Sequence, residues 1–258
     1  MTTADAIFQG IIQGLTEFLP VSSSGHLSLT HYFTGQSSET SAMYIVLLHI
    51  GSLGAVFIAF RKLIGALIIE AFRMLGDIFG GRFSLKDMPP QRRMIVMLIV
   101  SLLPMGFSFL MRDMFTAAIN ANSILVEGLA FLLTSFLLFW ACRCKKGRKD
   151  ASNMRYKDAL AVGFMQAVAP IPGLSRSGST ISVGLIMGLD RKHAVAFSFL
   201  MGVPVILAAC VLEFFEAGGV SGIAIPMDII VIGIAFALIS SLLAIKILSW
   251  IVVSDKFK

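Results

Sequence analysis

Two short stretches, half the chain apart, concentrate the side chains that could do chemistry. Residues 13–27 read QGLTEFLPVSSSGHL, and residues 172–180 read PGLSRSGST. Glu17 is the only charged side chain between residues 6 and 38, and Arg176 is the only one between residues 159 and 189. A lone charge in apolar surroundings marks a functional site with a partner. We therefore expect Glu17 and Arg176 to serve one site.

The stretch around Arg176 has the composition of an oxyanion or phosphate site. Its hydroxyls, its guanidinium and the free backbone N–H groups of a new helix are donors that bind phosphate oxygens. A competing interpretation pairs Arg176 with a cytoplasmic carboxylate, and it is disfavoured because an unpaired intramembrane arginine is so costly. The predicted substrate contacts in this stretch are Ser175, Ser177, Gly178 and Thr180.

The stretch around Glu17 repeats this form and adds groups for acid–base or metal chemistry. A carboxylate can accept a proton or ligate a hard cation such as Mg²⁺ or Ca²⁺. His26 alone would more often be a core residue, but it follows a serine-rich break and shares its segment with Glu17, which favours a functional role. His31 and His49 are interpreted as packing or interface residues. The predicted substrate contacts here are Gln13, Ser22, Ser24 and Gly25.

The composition indicates a polytopic membrane protein rather than a soluble one. The mean hydropathy is +0.87, and 57% of the residues are hydrophobic while 14% are charged. The net charge of +6 does not indicate nucleic-acid binding, because 14 of the 21 lysines and arginines fall within residues 61–93 and 143–157. Such clusters are typical of cytoplasmic loops, which set topology and meet anionic lipid. The cysteines lack a second pair to complete a zinc site and are interpreted as structural.

Five hydrophobic stretches approach the ~20 residues that cross a ~30 Å bilayer core. The predicted spans are 42–60, 94–111, 123–142, 194–215 and 227–253. Two further segments, 6–35 and 159–189, are interrupted by proline, serine and glycine, so that each limb is too short to span. Basic loops flank residues 159–189 on both sides, which predicts a re-entrant helical hairpin. Irregular backbone at this depth is tolerated only where it is buried in protein or lines a wet cavity.

The charge pattern also predicts the topology. Residues 61–93 and 143–192 lie inside, so the first hairpin enters from outside and the second from inside. Residues 61–81 combine apolar and basic groups and are predicted to form an interfacial amphipathic helix, with a solvated loop as the alternative.

An internal repeat supports one hairpin in each half. A constant offset aligns two sets of five residues, Gly10, Gln13, Ser22, Ser24 and Gly25 with Gly163, Gln166, Ser175, Ser177 and Gly178. Three spans follow the first hairpin, so the second copy is inverted, and it ends one span short. Broken helices of inverted repeats form binding sites near the midplane. The predicted fold is one all-α membrane domain, with a first repeat at residues 1–142 and an inverted second repeat at 156–258.

The motifs QGLTEFLPVSSSGH and PGLSRSGST resemble those of undecaprenyl pyrophosphate phosphatases, integral membrane phosphatases of the bacitracin-resistance type. The resemblance covers nearly the whole chain, although members usually continue with one more hydrophobic span. It implies catalytic roles for Glu17, Ser23, His26 and Arg176. Gln13 occupies a position where the family has Glu or Gln, so one potential carboxylate ligand is absent. An implied Mg²⁺ or Ca²⁺ site would then rely on Glu17 and on substrate oxygens.

The implied reaction is hydrolysis of undecaprenyl diphosphate to undecaprenyl phosphate and inorganic phosphate. It recycles the lipid carrier of cell-wall peptidoglycan synthesis and confers bacitracin resistance. The implied location is the bacterial inner (cell) membrane, multi-pass, with the active site opening to the extracytoplasmic side. Because the second hairpin enters from inside, the sequence itself allows an opening to either side. The expected partners are the polyprenyl diphosphate lipid and the bilayer, without nucleic acid, and a homodimer is left open.

The nucleophile is not determined by the sequence. Ser23, Ser22, His26 and a water activated by His26 are the alternatives, with Ser23 preferred and His26 in a proton-transfer or orienting role. A different class of function, a polyprenyl-phosphate flippase or another inverted-repeat transporter, would suit the same architecture. An acid-phosphatase-like lipid phosphatase is disfavoured, because the sequence after Arg176 lacks the histidine which that family needs.

Overall fold

Helices make up the regular structure of the described residues, which in the computed structural model are 1–23, 25–26, 29, 42–86, 88–111, 124–216 and 225–254. An isolated β-bridge joins Lys149 to Leu189. The prediction of an all-α protein is confirmed. In chain order the helices are α1 (Thr3–Phe18), α2 (Ala42–Ala59), α3 (Arg61–Phe79), α4 (Pro90–Leu102), α5 (Met105–Leu110), α6 (Ile124–Arg143), α7 (Tyr156–Val168), α8 (Arg176–Ile186), α9 (Arg191–Glu216) and α10 (Met227–Val253).

Several helices are long and apolar enough to cross a bilayer, which makes the chain a polytopic membrane protein. In the part of the chain that is described there are four, or five if the bent pair α2 and α3 counts as one span. They correspond to the predicted spans that begin at residues 94, 123, 194 and 227. Their bounds are Pro90–Leu110, Leu125–Arg143, Arg191–Leu212 and Met227–Val253.

The segment predicted to lie at the interface is a helix, so the alternative of a solvated loop is wrong. The axes of α2 and α3 differ by 84°. Ile69, Phe72 and Phe79 are exposed on α3, whereas Glu70 is buried and accepts from Arg92 Nε of α4 at 2.7 Å. One side of α3 is therefore fixed to the helical bundle, and the other leaves apolar side chains exposed, as an interfacial helix requires.

Both interrupted segments break where the sequence predicted. Helix α1 ends at Phe18, just before Pro20, and Ser22 in the following turn has a φ of 66°. Helix α7 ends at Val168, and the next helix begins only at Arg176, after a turn in which Gly173 has a φ of 86°. Proline cannot continue a helix, and a positive φ is easily adopted only by glycine. The predicted hairpin 6–35 extends into residues that lie outside the described part of the chain. His31 is one of these residues.

The first helix of each interrupted segment packs closely against another helix. Gly10 and Gly14 of α1 pack against the backbone of α10, and a Cβ on Gly10 would lie 2.5 Å from the Gly233 carbonyl. Gly163 of α7 packs in the same way against the backbone of Ser101 on α4. Small residues let membrane helices approach until their backbones touch. Each limb is thereby held against a long apolar helix from the other half of the chain.

Helix α8 lies inside the bundle and packs against α6, α7 and α9. Its 11 residues rise only about 16 Å, roughly half of a bilayer core. The hydroxyls of Ser179 and Thr180 are buried, and each donates to the carbonyl four residues earlier at 2.7 Å. Phe18, at the end of α1, packs against Phe199 of α9 with ring centroids 5.0 Å apart. The core therefore holds the end of α1 next to the start of α8.

Candidate active site

The two lone charges of the sequence meet in an ion pair. Glu17 lies in the last turn of α1, Arg176 is the first residue of α8, and Arg176 Nη2 donates to Glu17 Oε1. The Glu17 side chain is 7% exposed and that of Arg176 is 17% exposed. Their attraction is therefore screened less than that of a surface pair, and removing either partner would leave a poorly solvated charge. The expectation that Glu17 and Arg176 lie together is confirmed.

The other oxygen of Glu17 has three further polar neighbours. Gln13 Nε2, one helical turn earlier, and Ser23 Oγ each donate to Oε2 at 3.0 Å. His49 Nε2 of α2 lies 3.5 Å from the same oxygen. His49 Nδ1 is 2.8 Å from the Ile45 carbonyl, which can only accept, so Nδ1 carries a proton. The interpretation of His49 as a packing residue is corrected, because it contacts Glu17 in the site.

Glu17, Ser23 and His49 line a cavity of about 280 Å³. Its polar lining comprises Thr16, Glu17, Ser22, Ser23, His49, Gln166, Ser175 and Arg176. Other lining side chains are apolar, among them Val46 of α2, Leu174, and Val205 and Ile206 of α9. A cavity with one cation, several hydroxyls and an apolar wall fits a ligand with an anionic head and an apolar remainder.

The start of α8 offers donors to an anion beside Arg176. Ser175 is the N-cap, and its Oγ accepts from the Gly178 N–H at 3.1 Å. The N–H groups of Arg176 and Ser177 donate to no atom of the residues described here. Free N–H groups at a helix N-terminus bind phosphate oxygens. Ser175 lines the cavity, but its hydroxyl already serves the cap.

Three of the predicted substrate contacts make packing contacts or hydrogen bonds that hold the two turns and their helices together. Ser177 Oγ donates to the Leu19 carbonyl at 3.2 Å. A Cβ on Gly178 would lie 3.0 Å from Pro20 Cβ. Thr180 Oγ1 lies 2.6 Å from a serine hydroxyl of α9. Ser177, Gly178 and Thr180 are absent from the described lining of the cavity. Their contacts position the turns, and contact with substrate stays a prediction.

Ser22, Ser23 and His26 follow the turn at Pro20 and differ in their surroundings. Ser22 is buried, lines the cavity, and accepts from the Gly25 N–H at 3.3 Å. His26 is exposed; its Nδ1 is 2.9 Å from the Ser22 carbonyl, and its ring meets Phe131 edge-on at 5.6 Å. Within the described residues, His26 does not line the cavity, and its contacts favour the orienting role over direct attack. Ser24 lies outside the described part.

Buried polar atoms without partners surround the ion pair. Among the residues whose positions are described, Gln13 Oε1, Gln166 Oε1 and Arg176 Nη1 have no hydrogen-bond partner. Nη1 lies against Gly202 of α9, where a Cβ would overlap it. An unsatisfied buried donor or acceptor costs free energy that a ligand can recover. Arg176 thus has one nitrogen on Glu17 and another without an acceptor.

The side chains around Glu17 do not by themselves form a cation site. Both of its oxygens accept hydrogen bonds, and the guanidinium of Arg176 lies against one of them. The described residues contain no group of three or more His, Cys, Asp or Glu side chains that could hold a metal ion. Hard cations prefer several oxygen ligands, commonly with more than one carboxylate. The donor set here does not fit a cation held mainly by protein.

Comparisons with known proteins agree over nearly the whole chain. The model of a family described as bacitracin resistance protein BacA matches residues 6–258. An undecaprenyl-diphosphatase of Alkaliphilus metalliredigens is 36% identical over 249 residues, which are 96% of this chain and 90% of that relative. One from Methanobrevibacter smithii is 38% identical over 249 residues, covering 95% and 88%. One from Syntrophotalea carbinolica is 35% identical over 255 residues, covering 98% and 91%.

Proposed function

The chain belongs to the bacitracin resistance protein BacA family, and we propose on this basis that the cavity at Glu17 and Arg176 is the active site of an undecaprenyl-diphosphatase. The enzyme hydrolyses undecaprenyl diphosphate to undecaprenyl phosphate and inorganic phosphate. This reaction returns the lipid carrier to peptidoglycan synthesis and underlies bacitracin resistance. The observation that carries the assignment of the site is the Arg176–Glu17 pair at the edge of a partly apolar cavity.

The chemistry of the cavity suits both ends of this substrate. Arg176 Nη1 and the N–H groups of Arg176 and Ser177 can receive phosphate oxygens, since no described residue accepts from them. A guanidinium and helix N-terminal amides offset the charge that develops during phosphoryl transfer. The apolar side chains of Val46, Val205 and Ile206 suit the first part of the isoprenoid chain.

In the mechanism that we propose, Ser23 attacks the terminal phosphorus. Its Oγ forms the new P–O bond, the bridging P–O bond breaks, and undecaprenyl phosphate leaves with the bridging oxygen. The Ser23 hydroxyl already donates to Glu17 Oε2 at 3.0 Å, so Glu17 is in place to take its proton. Water then hydrolyses the phosphoserine and releases inorganic phosphate. Ser22 and His26 orient the turn that carries Ser23.

We propose that a divalent cation, Mg²⁺ or Ca²⁺, reaches the site mainly on the phosphate oxygens of the substrate. Glu17 is the one carboxylate in the described lining of the cavity, and it is occupied by donors. If the reaction needs this cation, a chelator should abolish turnover. Because Glu17 is not a main ligand in this proposal, Glu17→Gln should leave the cation concentration for half-maximal rate unchanged. A large increase of that concentration in Glu17→Gln would instead identify Glu17 as a ligand, as expected from the sequence.

We further propose that the two halves form inverted repeats, residues 1–142 and 156–258, whose re-entrant hairpins meet near the bilayer midplane. Reciprocal packing supports this arrangement. Gly10 and Gly163 are equivalent in the repeat, and each packs its helix against the second span of the other half, α10 and α4 respectively. The corresponding first spans, α2 and α9, contact each other. Such exchange is expected for two copies related by an axis in the membrane plane.

We propose that the protein lies in the inner membrane with the cavity open to the extracytoplasmic side. Helix α9 begins at the basic pair Arg191 and Lys192, which the charge pattern predicts to be cytoplasmic. The residues Val205, Ile206 and Cys210 line the cavity from the second half of this helix. The cavity therefore lies towards the end of α9 that is predicted to be outside.

Hydrolysis in detergent separates this function from transport. Purified protein should release inorganic phosphate from undecaprenyl diphosphate without a second compartment. Protein that binds the lipid and releases no phosphate would contradict the enzyme assignment. The alternative of a flippase is not favoured, because the relatives are named as diphosphatases.

A further inference from the structure

Thr134 of α6 contacts the turn that precedes Arg176, although it belongs to neither sequence motif. The side chain is 3% exposed. Its Oγ1 donates to the Ala130 carbonyl of its own helix at 3.0 Å and accepts from the Ser175 N–H at 3.1 Å. The hydroxyl has one proton, and this proton is used within α6. Its lone pair is therefore the part that faces the turn.

The hydrogen bond to Thr134 gives a partner to the Ser175 N–H, the one polar backbone group of Ser175 that has no partner within its own turn or helix. The Ser175 carbonyl accepts from the N–H and the Oγ of Ser179, at 2.9 and 2.7 Å. The Ser175 Oγ accepts from the Gly178 N–H. The N–H of Ser175 has its partner on another helix, 41 positions away in the sequence. Thr134 therefore ties the N-cap of α8 to a membrane span.

Close packing keeps the turn against the same face of α6. A Cβ on Gly173 would lie 2.5 Å from the Glu127 carbonyl and 3.1 Å from Ala130 Cβ. A Cβ on Gly178 would lie 3.1 Å from Thr134 Cγ2. These contacts bring the turn and the start of α8 close to α6, within reach of the Thr134 hydroxyl.

We propose that Thr134 is a positioning residue for diphosphate binding, an inference that rests on the proposed function of the site. By accepting the Ser175 N–H, it sets the direction of the next two N–H groups, those of Arg176 and Ser177, and the start of the Arg176 side chain. Without this acceptor, a buried N–H group loses its partner, and the turn relieves the cost by tilting. The tilt moves the phosphate-binding donors away from the substrate, although Thr134 itself touches no phosphate.

The test compares Thr134→Val, which keeps the shape and removes the hydroxyl, with Thr134→Ser, which keeps the hydroxyl. The control is Ser135→Ala, on the exposed side of the same helix. For each purified protein, KM for undecaprenyl diphosphate and the inhibition constant of inorganic diphosphate are measured. Neither constant depends on the fraction of active protein, so a loss of stability alone leaves both unchanged.

Thr134→Val should raise both constants by about tenfold, as expected for one displaced hydrogen-bonding group in the site. Thr134→Ser and Ser135→Ala should remain within about twofold of the parent chain. Unchanged constants in Thr134→Val, or a failure of Thr134→Ser to restore them, would overturn the proposal. If Thr134→Val cannot be recovered from the membrane, Thr134→Cys, a weaker acceptor of similar size, is judged by the same criteria. A parent chain without activity would instead refute the proposed function.

Discussion

Replacing Glu17 by glutamine removes one negative charge and changes the shape of the site very little. The carboxylate now accepts from Arg176, Gln13 and Ser23, and His49 lies 3.5 Å away. A glutamine side chain has only one acceptor oxygen, and its NH₂ group would face donors on its other side. The variant must therefore lose hydrogen bonds as well as the charge that attracts Arg176.

The expected loss can be estimated from these contacts. If the bonds from Arg176 and Ser23 are weakened, each being worth about 1.5 kcal/mol at the low end for a charged partner, the total is about 3 kcal/mol. At about 1.4 kcal/mol for a factor of ten, kcat/KM should fall about 150-fold. Most of the loss should appear in kcat, because Ser23 would lose the group that takes its proton.

Phosphate release from undecaprenyl diphosphate in detergent provides the assay, with Glu70→Gln as the matched control. Glu70 is also a buried glutamate paired with an arginine, Arg92, but it lies on α3 and does not line the cavity described here. Its replacement should lower thermal stability and leave kcat/KM of the folded protein within about threefold. If Glu17→Gln kept activity similar to that of Glu70→Gln, the role given to Glu17 would be refuted.

Further outcomes follow from the same geometry. Arg176→Lys should lose about tenfold or more in kcat/KM, because one ammonium group cannot replace both nitrogens of the guanidinium. Its control, Arg143→Lys, changes an exposed arginine of α6 and should leave kcat/KM unchanged. Ser23→Ala should form no phosphoenzyme, and a base-stable, acid-labile phosphoenzyme in the parent chain would indicate phosphohistidine and refute attack by serine. Cys210 lines the cavity, so an impermeant thiol reagent should label it from the extracytoplasmic side, and inorganic diphosphate should protect it. Cys144, which the charge pattern predicts to be cytoplasmic, should react only from the cytoplasm and without protection. Labelling of Cys210 from the cytoplasm would reverse the proposed orientation.

The spans and helix breaks could be predicted because each depends on local physics. Runs of apolar residues identify α4, α6, α9 and α10, and prolines with serine and glycine mark the two breaks. The pairing of Glu17 with Arg176 could also be predicted, since a lone intramembrane charge needs a partner. No contact had to be known for these inferences.

The individual roles of the hydroxyl groups could not be predicted, because they depend on tertiary contacts. The sequence treats Ser175 and Ser177 alike, whereas the structure uses the first as a helix cap and the second as a donor to Leu19. His26 belongs to a motif, yet it is His49 that contacts Glu17. His49 lies on the apolar helix α2, where no local sequence signal marks it. Thr134 likewise depends on the packing of α6 against a distant turn.

We have proposed that the site at Glu17 and Arg176 splits a lipid diphosphate. The most direct measurement quantifies both products, inorganic phosphate and undecaprenyl phosphate, after incubating purified parent protein and Arg176→Ala with undecaprenyl diphosphate in detergent. We expect equal amounts of the two products from the parent chain and neither product from Arg176→Ala, since nothing else in the described lining of the cavity supplies a permanent positive charge. Equal product formation by both proteins would contradict the assignment of Arg176 to the active site.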